Sequence, residues 1–391
     1  MRGHLWLVAA FAGSLAAGPA MAQTIYPIDR AEILEGSRFD FKVEFPNAPT
    51  SAEVNVTING KPAAEILGRA TTFMQSEEGQ KHSAMWLRGA ALPAGKYVVE
   101  ATQGANKATV NWDVFATATP RRAKNVILFI GDGMTVANRT AARILSKGWK
   151  EGKYDGELAM DDMSNMALIS TSGTDSIVTD SANAAHAYTT GHKSCVNALG
   201  VYCAKNALTL DHPKVETISE IVKRRTGMAV GVVTNSEIED ATPASMVAHT
   251  RRRSDFNDIV EMFYAVKPDV IMGGGSPNFL PKTTPGSKRT DEQDFITKFK
   301  EAGYTLAITK TEMNAAVAAG KTKLLGLYNT GNIDGAFDLR LAKKGSVAKF
   351  PDQPDVVEQT KAALEMLKGN PEGFVLMVET ARNDKYSHSL D

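Results

Sequence analysis

The sequence predicts an α/β protein, a mostly parallel sheet with helices on both faces, preceded by a small all-β, immunoglobulin-like module. Short strand-like runs separated by turn residues fill the chain from about Tyr26 to Thr119. Beyond Lys124 the texture changes to continuous apolar runs alternating with helical stretches, the pattern of parallel strands buried on both faces. Between the two, Ala116 to Lys124, with Pro120-Arg121-Arg122, reads as a linker.

The chain opens on Arg2 and His4, the apolar run Leu5 to Ala17, and the small-x-small site Ala20-Met21-Ala22. These are the three parts of a secretory signal, so residues 1–22 are expected to direct export to the periplasm or beyond the cell. That run is too short to span a bilayer, and no later run is long enough. The expected organisation is a signal at 1–22, the β module at 23–119 and the α/β domain at 120–391. A length of 391 residues with 43% hydrophobic content suits two or three folded domains. Lys and Arg total 44, as do Asp and Glu, which argues against nucleic acid as a partner; basic blocks are no longer than triplets such as Arg251-Arg252-Arg253. Cys195 and Cys203 stand in one short loop and could pair in an oxidising compartment or remain two thiols, because sequence separation does not fix the geometry a disulfide needs.

In the β module, Phe39-Asp40-Phe41-Lys42-Val43-Glu44-Phe45 alternates strictly between apolar and charged residues. Glu53 to Ile58 runs into the turn Asn59-Gly60, Lys96 to Val99 follows Pro93-Ala94-Gly95, and Ala108 to Phe115 carries Trp112. No metal-ligand cluster is apparent in it, so its expected role is accessory. In the α/β part, the expected strands are Asn125 to Ile130, Met166 to Ser170, Met228 to Thr234, Val270 to Met272, Leu306 to Ile308, Leu324 to Leu327 and Phe374 to Val378. The expected helices are Thr135 to Lys147, one opening at Ser181, Val215 to Arg225 and Val356 to Leu367. Chemistry in such sheets collects at the carboxyl ends of the strands.

Four clusters lie there. Gly131-Asp132-Gly133-Met134 follows the first strand; it is a poor dinucleotide fingerprint, since Val136 stands at the third glycine position and Asp132 would face the pyrophosphate. A carboxylate between glycines at a strand end is better placed to hold a hard divalent cation, or it is a turn residue. Thr179-Asp180-Ser181-Ala182 enters a small-residue helix, where Ser181 either caps or meets an anion at the positive helix end. Asp240-Ala241-Thr242-Pro243 enters another helix, where the Thr242 hydroxyl is a cap or a metal ligand, and Arg251-Arg252-Arg253 downstream are a solvated face or supply a guanidinium fork for two phosphoryl oxygens. Glu379 to His388 follows the last strand, and Asp384 and His388, four apart, share a helix face and could close on one metal.

These motifs, with Gly273-Gly274-Gly275, stand in the order and spacing of alkaline phosphatases, which the chain resembles from roughly Lys124 to Asp391. The resemblance implies a phosphomonoesterase with two zinc ions and one magnesium per site, acting through a phosphoserine on broad substrates, usually as a homodimer. Carried over by position, Ser181 is the nucleophile, Asp132 bridges the second zinc and magnesium, Thr242 and Glu379 complete the magnesium ligands, and Asp384 and His388 hold the first zinc. Arg253 falls at the phosphate clamp, with Asp180 before the nucleophile. Asp240 and Lys385 match the Asp and Lys pair of the bacterial branch. The resemblance further implies an Asp-His pair and another histidine beyond Asp391. His82, His186, His192, His212 and His249 do not match ligand positions. Two alternatives stay open: a catalytically crippled phosphate or metal binder, and an exported scaffold or adhesion protein led by its β module. A sulfatase is disfavoured, because no Cys/Ser-x-Pro-x-Arg motif surrounds Ser181.

Overall fold

The structure, a computed structural model, describes residues 23–389; the expected signal segment lies outside them. Its centre is a parallel sheet of six strands in the order Val126–Gly131, Phe374–Thr380, Ala229–Glu237, Val270–Gly274, Leu324–Leu327 and Thr305–Ala307. Successive side chains of a strand point to opposite faces, so an uninterrupted apolar run needs a cover on each. Val230, Val232, Val375 and Met377 pack on one side with Val222, Ile259, Val260, Phe263 and Phe299. Ala229, Val233, Leu376 and Val378 pack on the other with Met313, Ala362, Ala363, Met366 and Leu367. Each Val, Leu, Ile, Phe or Met among them stabilises the fold by about 1.5–3 kcal/mol on full burial.

Two sequence expectations are corrected here. Met166 to Ser170 forms no strand; Met166 and Leu168 are 87% and 100% exposed. A strand exists only where a neighbour takes its hydrogen bonds, and Val126–Gly131 pairs with Phe374–Thr380 alone among the described residues. The helix expected from Val215 begins instead at Ile218, because Thr217 and Glu220 form a reciprocal cap that closes its first turn. Val215 bridges to Phe39 of the β module.

That module holds a sheet of four strands and one of five around Trp112, Phe39, Phe41, Val43, Phe45 and Val99. Phe39–Pro46 is buried along its whole length, including the charged residues that alternation normally leaves in water. The reason is residues 203–216, which lie across it. Lys42 Nζ sits 2.7 Å from Glu44, 2.8 Å from Glu77 and 2.7 Å from Asn206 Oδ1, above the ring of Trp86. Asp40 accepts from the Lys214 amide at 3.1 Å, and Tyr26 donates to the Cys203 carbonyl at 2.9 Å. Contrary to the sequence reading, the module does contain a ligand-type cluster. Glu44, Glu77 and His82 bring ligand atoms within 4.8 Å of one another, the only such group of three among the described residues. The Lys42 ammonium supplies the positive charge there, which makes the cluster a buried ion network joining the module to residues 203–216.

Candidate active site

Strand register sets the floor of the site. Ile130 pairs with Glu379 and Thr234 pairs with Glu379, so Asp132 and Glu379 emerge side by side at the carboxyl end of the sheet. Gly133 then turns the chain at φ +61°, and a Cβ there would lie 2.7 Å from Asp384 Oδ1 and 2.9 Å from its Cβ. Glycine thus lets the Asp132 turn rest directly against the helix Arg382–Ser389. On that helix Asp384 and His388 come together, Nε2 to Oδ2 at 3.2 Å.

The helix Ser181–Thr190 begins on a reciprocal cap in which Asp180 accepts from the Asn183 amide at 3.2 Å and Asn183 Oδ1 accepts from the Asp180 amide at 3.0 Å. Ala182 and Ala185 are small enough to bury this helix tightly. Its first residue, Ser181, donates from Oγ to Asp132 Oδ2 at 3.0 Å. Thr242 lies buried on the one-turn helix Ala241–Ala244, which Asp240 caps. Arg253 spans two carboxylates, Asp180 at 3.1 Å and Asp240 at 2.7 Å, and Lys385 Nζ meets the other oxygen of Asp240 at 2.6 Å. Its neighbours are engaged elsewhere: Arg251 donates to the Val196 carbonyl and Arg252 pairs with Asp255.

A cavity of about 660 Å³ is lined by Asp132, Asp180, Ser181, Thr242, Arg253, Asp384, Lys385 and His388. Glu379 lies beneath it against Thr242, receiving hydrogen bonds from Thr234 and from Ser236 at 3.3 Å. Thr234 and Ser236 are site residues the sequence reading passed over, although hydroxyls at the end of a buried strand were the available signal. The Gly273-Gly274-Gly275 run does not line the cavity. Its glycines make room instead, since a Cβ on Gly274 would collide with the Gly331 carbonyl.

The electrostatics call for cations. Burial, reinforced by Asp132 and Asp240, pushes the Glu379 carboxyl up to about 8. Burial and the Asp384 charge raise Asp132. Burial alone would raise Asp240 too, but Arg253 and Lys385 hold it below the usual carboxylate range. Among the described residues, the carboxylates Asp132, Asp180, Asp240, Glu379 and Asp384 thus gather around two basic side chains, Arg253 and Lys385. The donors fit metal: Asp132, Thr242 and Glu379 offer the all-oxygen set of a hard cation, and Asp384 with His388 the mixed set that zinc takes.

The alkaline phosphatase family profile matches residues 123–391. The chain belongs to the alkaline phosphatase family. Alkaline phosphatase of Escherichia coli (strain K12) is 33% identical over 312 residues, covering 69% of this chain and 62% of that protein. Alkaline phosphatase H of Pseudomonas aeruginosa is 30% identical over 306 residues, again 69% of this chain and 62% of the relative. Streptomycin-6-phosphate phosphatase of Streptomyces griseus is 32% identical over 346 residues, 78% of this chain and 72% of that one. Among solved structures, Thermus thermophilus alkaline phosphatase superposes with a TM-score of 0.55 at 28% identity, covering 67% of this chain and 50% of that one. A magnesium-bound mutant of TAB5 alkaline phosphatase gives 0.53 at 26% identity, covering 68% and 67%. The chain therefore spans a little under two thirds of the length of its Escherichia and Pseudomonas relatives. No helix among the described residues is long and apolar enough to cross a membrane.

Proposed function

We propose that this chain is a metal-dependent phosphomonoester hydrolase that works through a phosphoserine on Ser181. One arrangement carries the reading: the Ser181 hydroxyl, bonded to Asp132 at the mouth of a helix, faces the Arg253 guanidinium across an anion-rich cavity. The substrate phosphoryl group would sit with its oxygens toward Arg253 and the first amides of the Ser181 helix, whose dipole favours negative charge. Ser181 Oγ gives up its proton to solvent water and bonds to phosphorus, and the ester P–O bond breaks with its electron pair leaving on the alcohol oxygen, which takes a proton from water. Water then attacks the phosphoserine, inorganic phosphate departs and the hydroxyl is restored. Two inversions leave the configuration at phosphorus retained.

Bound divalent cations would favour the serine alkoxide and offset charge on the leaving oxygen. Asp132, Thr242 and Glu379 would hold magnesium, Asp384 and His388 one zinc, and Asp132 with Ser181 would face a second. Asp180 holds Arg253 over the nucleophile, Asp240 neutralises its far side, and Lys385 reaches toward phosphate. Broad substrate use is what the family resemblance supports. Pairing of Cys195 with Cys203 supports export, and the family resemblance supports a homodimer.

Hydrolysis of p-nitrophenyl phosphate by the chain supplied with zinc and magnesium tests this. Turnover is expected to vanish with chelator and with Ser181→Ala, and Arg253→Ala to lower kcat/KM by roughly 10²–10³-fold, the scale of a lost charge-stabilising donor. Undiminished turnover in Ser181→Ala would overturn the reading.

A further inference from the structure

The nucleophile and the clamp come from distant segments, yet one residue outside the cavity touches both supports. Asn197 donates its amide to Asp180 Oδ1 at 3.1 Å, the oxygen that caps the Ser181 helix, and its carbonyl accepts from the Arg253 amide at 2.9 Å. Its backbone is left-handed, φ +70°, a conformation asparagine tolerates better than most non-glycine residues. Its side chain is exposed, so only its main chain acts.

Asn197 belongs to a loop pinned from every side. The Cys195–Cys203 disulfide closes it. Leu199 and Thr250 exchange two backbone hydrogen bonds at 2.8 Å, and the Val196 carbonyl accepts from Arg251 at 2.9 Å. The Gly200 amide donates to His186 Nδ1 on the Ser181 helix at 2.8 Å, while its carbonyl bonds His249 Nδ1 at 2.8 Å.

We propose that Asn197, held by the disulfide-closed loop 195–203, is a positioning residue that fixes the gap between Ser181 and Arg253. This rests on the phosphomonoesterase reading for its kinetic consequence, though not for its geometry. Opening the disulfide frees the loop ends, and the Arg253 segment loses its register against the Asp180 cap. Cys203 is partly exposed, so a reductant can reach it while the chain stays folded.

The test reduces the folded, metal-supplied chain with a phosphine and reoxidises it, alongside Cys195→Ser/Cys203→Ser. Inhibition by inorganic phosphate is expected to weaken on the order of tenfold, the worth of about one charge-assisted hydrogen bond, and to recover on reoxidation. The loss should vanish in an Arg253→Ala background, which a general loosening of the fold would not produce. Asn197→Gly should bind phosphate better than Asn197→Val, because valine resists a positive φ. Amide exchange at Asn197 and Arg253 should quicken on reduction whether or not the chain turns over. If Ser181→Ala keeps full turnover, the enzymatic reading fails and the exchange result alone judges the loop. Unchanged exchange at Arg253 on reduction, or an equal loss of phosphate affinity without Arg253, would overturn the proposal.

Discussion

Gly133 and Glu239 show how much single positions around the cavity decide. At Gly133 a Cβ has no room against Asp384 and would sit on a left-handed backbone, so the Asp132 turn and the Asp384 helix can touch only across a glycine. Gly133→Ala is expected to cost about 1–3 kcal/mol for the strained backbone and to lower turnover more than it lowers the Tm, which paired kinetic and thermal measurements would check. Glu239, next to Asp240, is fully buried; Asn278 donates to one carboxyl oxygen, and the other has no partner among the described residues. Burial, with help from Glu237, holds its pKa well above the ordinary value. The folded chain therefore keeps a proton that the unfolded chain releases above about pH 4.3, so the group's contribution to stability falls as pH rises through that window toward the folded pKa. Glu239→Gln should remove the slope, raising the Tm relative to the parent more at about pH 8 than at about pH 5. An equal shift at both pH values would contradict it.

Among elements, the Ser181 helix is held at its start by the residue before it and in its middle by a separate loop. Its start is capped by Asp180, and its middle is tied through His186, which burial keeps neutral at a pKa of about 3 so that Nδ1 can accept from Gly200. Gly200 adopts φ +60°, and a Cβ there would run into the Ala248 carbonyl. Gly200→Ala should therefore displace the loop and destabilise the chain by about 1–3 kcal/mol, read as a lower Tm with a matching rise in amide exchange along 181–190. These local contacts also mark where the sequence stops being readable. The places of Asp132 and Glu379 at strand ends and of Ser181 and Thr242 at helix starts were legible in the local pattern, whereas the roles proposed for them came from the family resemblance. The burial of Asp40, Lys42 and Glu44 was not legible, because their alternation is that of a half-exposed strand and their cover comes from residues 203–216, far along the chain. Met166 to Ser170 failed for the converse reason, having strand composition without a partner edge among the described residues.

Over the whole molecule, the β module and the α/β domain are joined by buried charge as well as by apolar contact. Tyr202 and Val215 belong to the module's core, and Lys42 binds Asn206 together with Glu44 and Glu77. Removing one partner of a buried ion pair strands the others, so Lys42→Met should cost roughly 3–5 kcal/mol, seen as a lower denaturation midpoint; an unchanged midpoint would mean the two parts are energetically independent. The central claim concerns Ser181, and it is tested most directly by catching the covalent intermediate. The metal-supplied chain is mixed with a phosphomonoester, quenched in acid, and its peptides are sequenced by mass. One phosphate on Ser181, absent from Ser181→Ala and from a chelated sample, is the predicted result; hydrolysis with no phosphoserine at that position, or with the phosphate on another residue, would contradict the account.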